Sequence, residues 1–209
     1  MRWHVTDAQS LAIIDTEIGD HLFSPAEYEV VRRVVYATSD FEYKSLIRFS
    51  EHSLESGASA LAARSTIVVD EPVVQAGIAY DIQNKFANPL YCGMEGITRP
   101  QKEKPSAVSG IETLARRYPE GIFVVGQSQM ALTALVQLIE AEEIRPALIV
   151  ATPPEFVNLG IAKQRLRESL VPHITIEGRK GNALVSSAII DALVDLAWQA
   201  YGQDGSGGG

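Results

Sequence analysis

The sequence predicts a single α/β domain, with helices on both faces of a mostly parallel central sheet. Short β-branched runs such as TIVV, IFVV and ALIVA alternate along the chain with helical patterns of about 10–15 residues. No internal repeat or linker divides the 209 residues, a length that fits one domain. Apolar residues make up 46% and charged residues 21% of the chain, values that are typical of a soluble globular protein.

Apolar spacing and capping residues predict the helices. Leu11, Ile14 and Ile18 recur at the three- and four-residue spacing of one helix face. The next helix begins at Ser24, because a serine N-cap, a proline at N1 and Glu27 at N3 form a capping box. The predicted helices cover residues 10–18, 25–38, 51–63, 71–79, 107–117, 129–143, 160–170 and 183–200.

Four apolar runs between these helices predict buried strands, at 66–69, 122–125, 147–151 and 173–177. The stretch 84–105 lacks clear periodicity, and so long an irregular segment predicts a functional loop or lid. Ligands bind beyond the carboxyl ends of parallel strands, so we expect the functional site in the segments that follow the four strands. These segments are Asp70–Glu71, Gly126–Ser128, Thr152–Phe156 and Gly178–Asn182.

Composition excludes several classes of protein. The formal charge of −8, from 26 acidic and 18 basic residues, argues against a nucleic-acid partner, which requires a basic surface. Cys92 is the only cysteine, which excludes a cysteine-based zinc site and favours the reducing cytoplasm. No run approaches the ~18 apolar residues of a membrane span, and the first residues lack a signal-peptide core. We expect a cytoplasmic domain over residues 1–204 and an added Gly/Ser tail at 205–209.

The segment GQSQM follows a strand and begins a helix, which is similar to the G-x-S-x-G nucleophile turn of serine hydrolases. In that interpretation Ser128 is the nucleophile, and Glu155 and His173 follow as acid and base. Met130 stands where the turn requires a glycine. The alternative is a helix N-terminus whose free amides bind an anion or a carbonyl group.

Arg179 and Lys180 stand between two glycines where a strand ends and a helix begins. Backbone amides beside two cations suit a carboxylate or a phosphate, since arginine can hold such a group through two hydrogen bonds. The alternative is a solvated turn. Neither a Walker phosphate loop nor a G-x-G-x-x-G motif is present, so the sequence does not support nucleotide binding.

Two further basic clusters favour a small anionic ligand, or are solvated surface. They are Arg32–Arg33 with Lys44 and Arg48, and Arg99 with Lys102 and Lys104. The four histidines show no metal-ligand spacing, so we predict no metal site.

The order and spacing of several segments together resemble the precorrin-8X methylmutase family, also called cobalt-precorrin-8 methylmutases, and its cyanobacterial branch in particular. The resemblance covers nearly the whole chain. It rests on AQSLAIIDTE, RRVVYATSDFEY, TIVVDEPVVQAGI, ITRP, IFVVGQSQMALTALVQLIE, RPALIVATPPEFV and VPHITIEGRKGNA.

The resemblance implies a defined reaction. A methyl group moves from C-11 to C-12 of the macrocycle in a 1,5-sigmatropic shift, which converts precorrin-8X or its cobalt form to hydrogenobyrinic or cobyrinic acid. No cofactor is consumed. The protein holds a large polycarboxylate tetrapyrrole in a reactive conformation and donates a proton or hydrogen bond to a ring nitrogen. Enzymes of this family are homodimers with the active site near the subunit interface, and we expect the same here.

The family's proposed proton donor is a histidine, and Tyr36 stands at that position in this chain. A tyrosine donor, with a pKa of about 10 against about 6.5 for histidine, predicts a rate that stays level across neutral pH. Ser10 matches the family's N-terminal serine, and Thr98–Arg99 matches its Thr-Arg pair, in which the arginine is a candidate carboxylate clamp. The resemblance places further substrate-binding positions at Asp40, Asp70, Glu71, Gln127, Ser128, Glu155, Arg179 and Lys180.

Three segments depart from the family pattern, and all lie in loops after strands. They are Gln127–Met130, Glu155 in place of a glycine, and Asn182–Ala183. Glu155 is expected to repel a carboxylate-rich substrate by about 1 kcal/mol or more per close pair. These departures leave two functions open. One is a methylmutase acting through Tyr36, and the other is a non-catalytic protein, natural or engineered, that binds a tetrapyrrole or another flat ligand.

Overall fold

The computed structural model describes residues 5–95, 105–156 and 160–202, which form one α/β domain. The helices are α1 (Val5–Ile18), α2 (Pro25–Thr38), α3 (Tyr43–Leu46), α4 (Ser53–Ala62), α5 (Pro72–Lys85), α6 (Ser106–Arg117), α7 (Gln129–Glu140), α8 (Ile161–Glu168) and α9 (Ala183–Tyr201). The strands are β1 (Ile47–Phe49), β2 (Ile67–Val69), β3 (Leu90–Cys92), β4 (Ile122–Val125), β5 (Leu148–Ala151) and β6 (His173–Ile176).

The strands form one sheet in the order β1-β6-β5-β4-β2-β3. β1 pairs antiparallel to β6 at one edge, and the other neighbouring pairs are parallel, which confirms the predicted sheet. Numbered along the chain, the five parallel strands lie in the order 2-1-3-4-5. The order therefore reverses between β2 and β4, and such a switch point is where open α/β sheets bind ligands.

Alternate strand residues supply two apolar cores, one on each face of the sheet. Val69 and Val124 lie in the core covered by α1, α2, α4, α5 and α9. Val68 and Phe123 lie in the core covered by α6, α7 and α8. All four side chains are fully buried, which explains why these strands are apolar at every position.

α9 is the central helix of the first face. It packs against α2, α4 and α5, and most of its residues are buried. Within the described ranges, it is the one helix long and apolar enough to cross a membrane, yet 67% of its apolar window is buried inside the domain. Its composition therefore fits the core helix of a folded domain.

The capping box predicted at Ser24 is confirmed. The Ser24 hydroxyl accepts a hydrogen bond from the Glu27 amide at 3.3 Å, and the Glu27 carboxylate accepts one from the Ser24 amide at 2.8 Å. α2 ends at Thr38 because Ser39 takes a left-handed conformation, with a φ of 55°. This end fixes where the following loop begins, close to the carboxyl edge of the sheet.

Three short elements differ from the prediction. β3 lies inside the stretch 84–105, which the sequence pattern presents as one irregular loop, and it pairs in parallel with β2. β1 has three residues and includes Arg48, and α3 is a single turn. Elements this short carry little periodic signal, because their partners come from distant parts of the chain. Two predicted helices are also longer, since α1 begins at Val5 and α5 continues to Lys85.

Candidate active site

A buried carboxylate organises the backbone at the switch point between β2 and β4. Asp70 follows β2 and is fully buried. Its Oδ1 accepts a hydrogen bond from the Gly126 amide at 3.0 Å, and its Oδ2 accepts from the amides of Gln127 and Ser128 at 2.9 and 2.7 Å. These three amides could otherwise bind an anionic ligand, but here they bind the Asp70 carboxylate. Asp70 shapes the site and is not itself exposed to a ligand.

The loops after β4, β5 and β6 are joined to one another. The Gln127 side-chain oxygen accepts a hydrogen bond from the Ala183 amide at 3.3 Å, and the Thr152 hydroxyl donates one to the Asn182 carbonyl at 3.0 Å. Gly181 has a φ of +116°, and an added Cβ would lie 2.2 Å from the Thr152 carbonyl oxygen. Only glycine fits this close approach, so these loops form one connected floor at the carboxyl edge of the sheet.

A cleft of about 410 Å³ lies between α2 and the N-terminal halves of α5 and α9. Its apolar wall includes Val73 and Leu184, whose side chains are 55% and 51% exposed. Its polar lining consists of Arg33, Tyr36, Ser187 and Asp191. Ligand pockets commonly measure about 300–1,000 Å³, so this volume suits part of a large ligand. A cleft of about 600 Å³ lies at the other end of the strands, beside Ser50.

Tyr36 lines the smaller cleft, where the resemblance places the family's catalytic position. Its hydroxyl donates a hydrogen bond to Oδ1 of Asp7 on α1, at 2.8 Å. That bond raises the pKa of Tyr36, because the nearby carboxylate stabilises the protonated phenol. Tyr36 therefore stands beside the cleft with its proton directed to Asp7.

A buried charge network adjoins the cleft. Arg33 donates to Oδ2 of Asp195 at 2.7 Å, and Lys85 binds the other oxygen of the same carboxylate. Burial alone would raise the pKa of Asp195, but the hydrogen bonds from Lys85 and Arg33 hold it below its ordinary value. Asp81 lies 3.5 Å from Lys85 and extends the network along α5.

Asp191 lines the same cleft, one helical turn before Asp195 on α9. Burial raises the pKa of Asp191 to about 7, and the negative charge of Asp81 adds to the rise. Its Oδ1 is buried and has no hydrogen-bond partner among the described residues. Asp191 is not among the site residues that the sequence predicts, although two aspartates in the apolar stretch IIDALVDLA are an unusual feature.

Lys180 binds acidic side chains of the same chain. Its Nζ contacts the carboxylates of Asp40 and Glu42, which lie between α2 and α3. These bonds raise the pKa of Lys180, and the bond from Lys180 lowers the pKa of Asp40. In this structure Lys180 and Asp40 bind each other, and their expected roles in substrate binding remain predictions.

Arg179 is exposed on the loop after β6 and makes no hydrogen bond or ion pair with the described residues. It lines a cleft of about 400 Å³ together with Glu155 and Arg167. A side chain in this position is available to bind a carboxylate, as the sequence predicts for this turn.

Glu155 does not present the uncompensated charge that the sequence suggested. It is 3% exposed, and its Oε2 lies 3.6 Å from Nζ of the fully buried Lys163. Lys163 also donates a hydrogen bond to the Ile176 carbonyl at 2.6 Å. Burial raises the pKa of Glu155 and lowers that of Lys163. The Glu155 carboxylate thus faces a cation of the same domain, and the expected repulsion of a substrate remains a prediction.

The remaining predicted substrate-binding residues are dispersed. Ser10 lies on α1, where its hydroxyl donates to the Thr6 carbonyl at 3.0 Å. Glu71 is the N-cap residue of α5, and burial together with the charge of Asp70 raises its pKa. Thr98 and Arg99 lie outside the described residues, as do Lys102 and Lys104.

The serine-hydrolase interpretation is wrong because its groups lie at opposite ends of the strands. Ser128 follows the carboxyl end of β4 and caps α7, accepting a hydrogen bond from the Ala131 amide at 3.2 Å. His173 is the first residue of β6. Through its register partner Ile149 on β5, it is level with Phe123, near the start of β4. The strand geometry separates Ser128 from His173 by more than about 10 Å. In the part of the chain that the structure describes, no three His, Cys, Asp or Glu side chains converge as metal ligands.

The side chains of the first basic cluster make contacts within the domain. Arg32 pairs with Asp15 and Glu29, and Lys44 donates to the Ile18 carbonyl at 2.6 Å. Arg48 pairs with the carboxylate of Glu177, the residue after β6, at 2.6 Å. These contacts engage the cluster within the domain.

Comparisons with known proteins identify relatives over almost the whole chain. The family model described as precorrin-8X methylmutase matches residues 6–196. The chain is 34% identical to the cobalt-precorrin-8 methylmutase of Synechocystis sp. over 205 residues, 91% of this chain and 94% of that protein. It is 36% identical to the protein of the same name from Methanocaldococcus jannaschii over 186 residues, 86% and 85% of the two chains. A solved precorrin-8X methylmutase from Thermus thermophilus matches with a TM-score of 0.84 and 35% identity, over 94% of this chain and 99% of that one.

Proposed function

The chain belongs to the precorrin-8X methylmutase family, and we propose that it is an isomerase of cobalamin biosynthesis acting on precorrin-8X or cobalt-precorrin-8. The reaction moves a ring methyl group from C-11 to C-12 of the macrocycle. The observation that carries the proposal is the match to cobalt-precorrin-8 methylmutases over about nine-tenths of both chains. The rearrangement breaks one carbon–carbon bond and forms another within the same molecule, so it requires no cofactor.

The cleft lined by Tyr36 is the proposed place of the macrocycle. It adjoins the switch point between β2 and β4, where open α/β sheets bind their ligands. The exposed side chains of Val73 and Leu184 offer apolar contacts to a flat ring. Arg179, exposed at the same edge of the sheet, is the proposed partner of a peripheral carboxylate.

We propose that the protein works as a cytoplasmic homodimer. A volume of about 410 Å³ accommodates only part of a macrocycle, so a second subunit would complete the enclosure. Large apolar side chains are exposed near the carboxyl edge, at Met130, Phe156 and Ile161, with exposed fractions of 58%, 66% and 52%. Exposed apolar groups of this kind are typical of association surfaces. The buried free thiol of Cys92 is compatible with a reducing compartment.

Turnover tests the proposal. The purified protein is mixed anaerobically with precorrin-8X or with its cobalt form, and the product is followed by absorption spectroscopy and by NMR of the migrated methyl group. We expect conversion to hydrogenobyrinic or cobyrinic acid. Tight binding of the product without conversion would instead favour a non-catalytic tetrapyrrole-binding protein, and neither binding nor conversion would reject both functions.

A further inference from the structure

We propose that Asp191 is a catalytic residue that donates the proton required by a ring nitrogen of the bound tetrapyrrole. This inference rests on the function proposed above and adds a second acid to the cleft that Tyr36 lines.

Four polar side chains among the described residues line the cleft, and three of them have other partners. Arg33 is paired with a carboxylate of α9 and does not release a proton near neutral pH. Ser187 donates its hydroxyl proton to a backbone carbonyl at 2.9 Å, and Tyr36 donates its own to Asp7 at 2.8 Å. Asp191 is the fourth, and its buried Oδ1 has no partner. The side chain as a whole is only partly buried and borders the cleft. A cleft acid without a protein partner can give its proton to a ligand nitrogen.

The surroundings of Asp191 favour its protonated form. Burial is the main cause, and Asp81 from α5 and Asp195 from α9 add negative charge. Arg33 from α2 and Lys85 from α5 act in the opposite direction, but both are bound to the carboxylate of Asp195. The resulting pKa of about 7 lets the side chain hold and release a proton at neutral pH, which suits a general acid.

The proton balance of the reaction needs one group that gives and then recovers a proton. The carboxylic acid of Asp191 transfers its proton to a ring nitrogen and becomes a carboxylate. The methyl group then moves with its bonding electrons, so that one carbon–carbon bond breaks and one forms. The nitrogen returns the proton to Asp191, and substrate and product remain isomers. No oxidant, reductant or co-reactant takes part.

The Asp191→Asn variant tests the proposal, because asparagine keeps the shape of the side chain but cannot give up a proton. We expect turnover to fall by about 100-fold or more. We also expect the dissociation constant for hydrogenobyrinic acid at pH 6 to stay within about threefold. In the unsubstituted protein, kcat/KM should be level below pH 7 and fall above it. Full turnover by the variant, or a level profile from pH 6 to 9, would overturn the proposal.

Asp81→Asn is the matched control, since Asp81 acts on Asp191 through its charge and does not line the cleft. Removing that charge should move the fall in kcat/KM to lower pH while the rate at pH 5.5 is retained. A purely structural role for Asp191 would leave the midpoint of the pH profile where it was.

The proposal can also be tested if the unsubstituted protein has no turnover, which would reject the proposed function alone. The probe is then hydrogenobyrinic acid, and the measurement is its dissociation constant from pH 5.5 to 8.5. A hydrogen bond from protonated Asp191 predicts weaker binding as the pH rises through 7, and a level dissociation constant in Asp191→Asn. Equal pH dependence in both proteins would overturn the proposal. Thermal unfolding at pH 6 verifies that each variant is folded.

Discussion

Among single side chains, Asp70 joins two strand ends through three hydrogen bonds to backbone amides. A carboxylate accepts all three, whereas an asparagine of the same shape directs an N–H group toward at least one N–H donor. We expect Asp70→Asn to lower the free energy of unfolding by about 2–4 kcal/mol, measured by urea denaturation.

The neighbouring Glu71 provides the control, because its side chain is only partly buried and, although Glu71 is the N-cap residue of α5, makes no capping hydrogen bond. Glu71→Gln should change the free energy of unfolding by no more than about 0.5 kcal/mol. Equal losses in the two variants would contradict the role assigned to the Asp70 carboxylate.

A substitution at Tyr36 distinguishes between the two candidate proton donors, Tyr36 and Asp191. Its hydroxyl donates to Asp7, so Tyr36→Phe removes a group that positions the rim of the cleft and leaves Asp191 in place. We expect the turnover of Tyr36→Phe to stay within about tenfold of the unsubstituted protein, with the same pH midpoint. Steady-state rates from pH 6 to 9 provide the measurement. A variant that binds hydrogenobyrinic acid but does not turn over substrate would return the donor role to Tyr36.

At the level of helices and strands, the departures from the family pattern have structural partners. Ser128 caps α7, and Asn182 caps α9 by accepting a hydrogen bond from the Val185 amide at 3.2 Å. Glu155 connects the loop after β5 to α8 through Lys163. These residues stabilise the loops around the cleft, so their presence does not by itself indicate a different ligand.

The Glu155–Lys163 pair can be tested by a double-mutant cycle. Both side chains are almost completely buried, so Lys163→Met leaves an unpaired carboxylate in the core. We expect that variant to lose about 3–5 kcal/mol of unfolding free energy, measured by denaturant titration. The double variant Glu155→Gln with Lys163→Met should recover much of the loss. If the double variant is as unstable as the single one, the two side chains are not energetically coupled.

For the assembly as a whole, the exposed apolar residues near the carboxyl edge predict self-association. Light scattering at micromolar concentration should give about twice the chain mass of 22.7 kDa. Ile161→Lys should shift the protein toward the monomer, because it places a charge on the proposed association surface.

Leu170→Lys is the control for that experiment, since Leu170 is fully exposed and leads toward the opposite end of the sheet. This variant should keep the mass of the unsubstituted protein. A mass near 22.7 kDa for the unsubstituted protein would contradict the homodimer.

Local patterns in the sequence predicted the fold class, the main helices and the four central strands, but not the two edge strands β1 and β3. Apolar periodicity and the capping box at Ser24 predict the main helices, and four β-branched runs predict the central strands, since each reflects the burial of one segment. The loops that follow those strands could be placed at one edge of the sheet, because parallel strands have their carboxyl ends at the same edge. The resemblance of the segments to the precorrin-8X methylmutases then indicated the family that the comparisons identify.

Only the tertiary structure determined how the charged residues are used. Lys180 binds Asp40, which is distant in the sequence, and Glu155 in the loop after β5 faces Lys163 on α8. Asp191 becomes a neutral-pH acid because three helices bury it beside other charges, and no local pattern encodes that burial. Periodicity records which face of a segment is buried, whereas the partner of a charge depends on long-range packing.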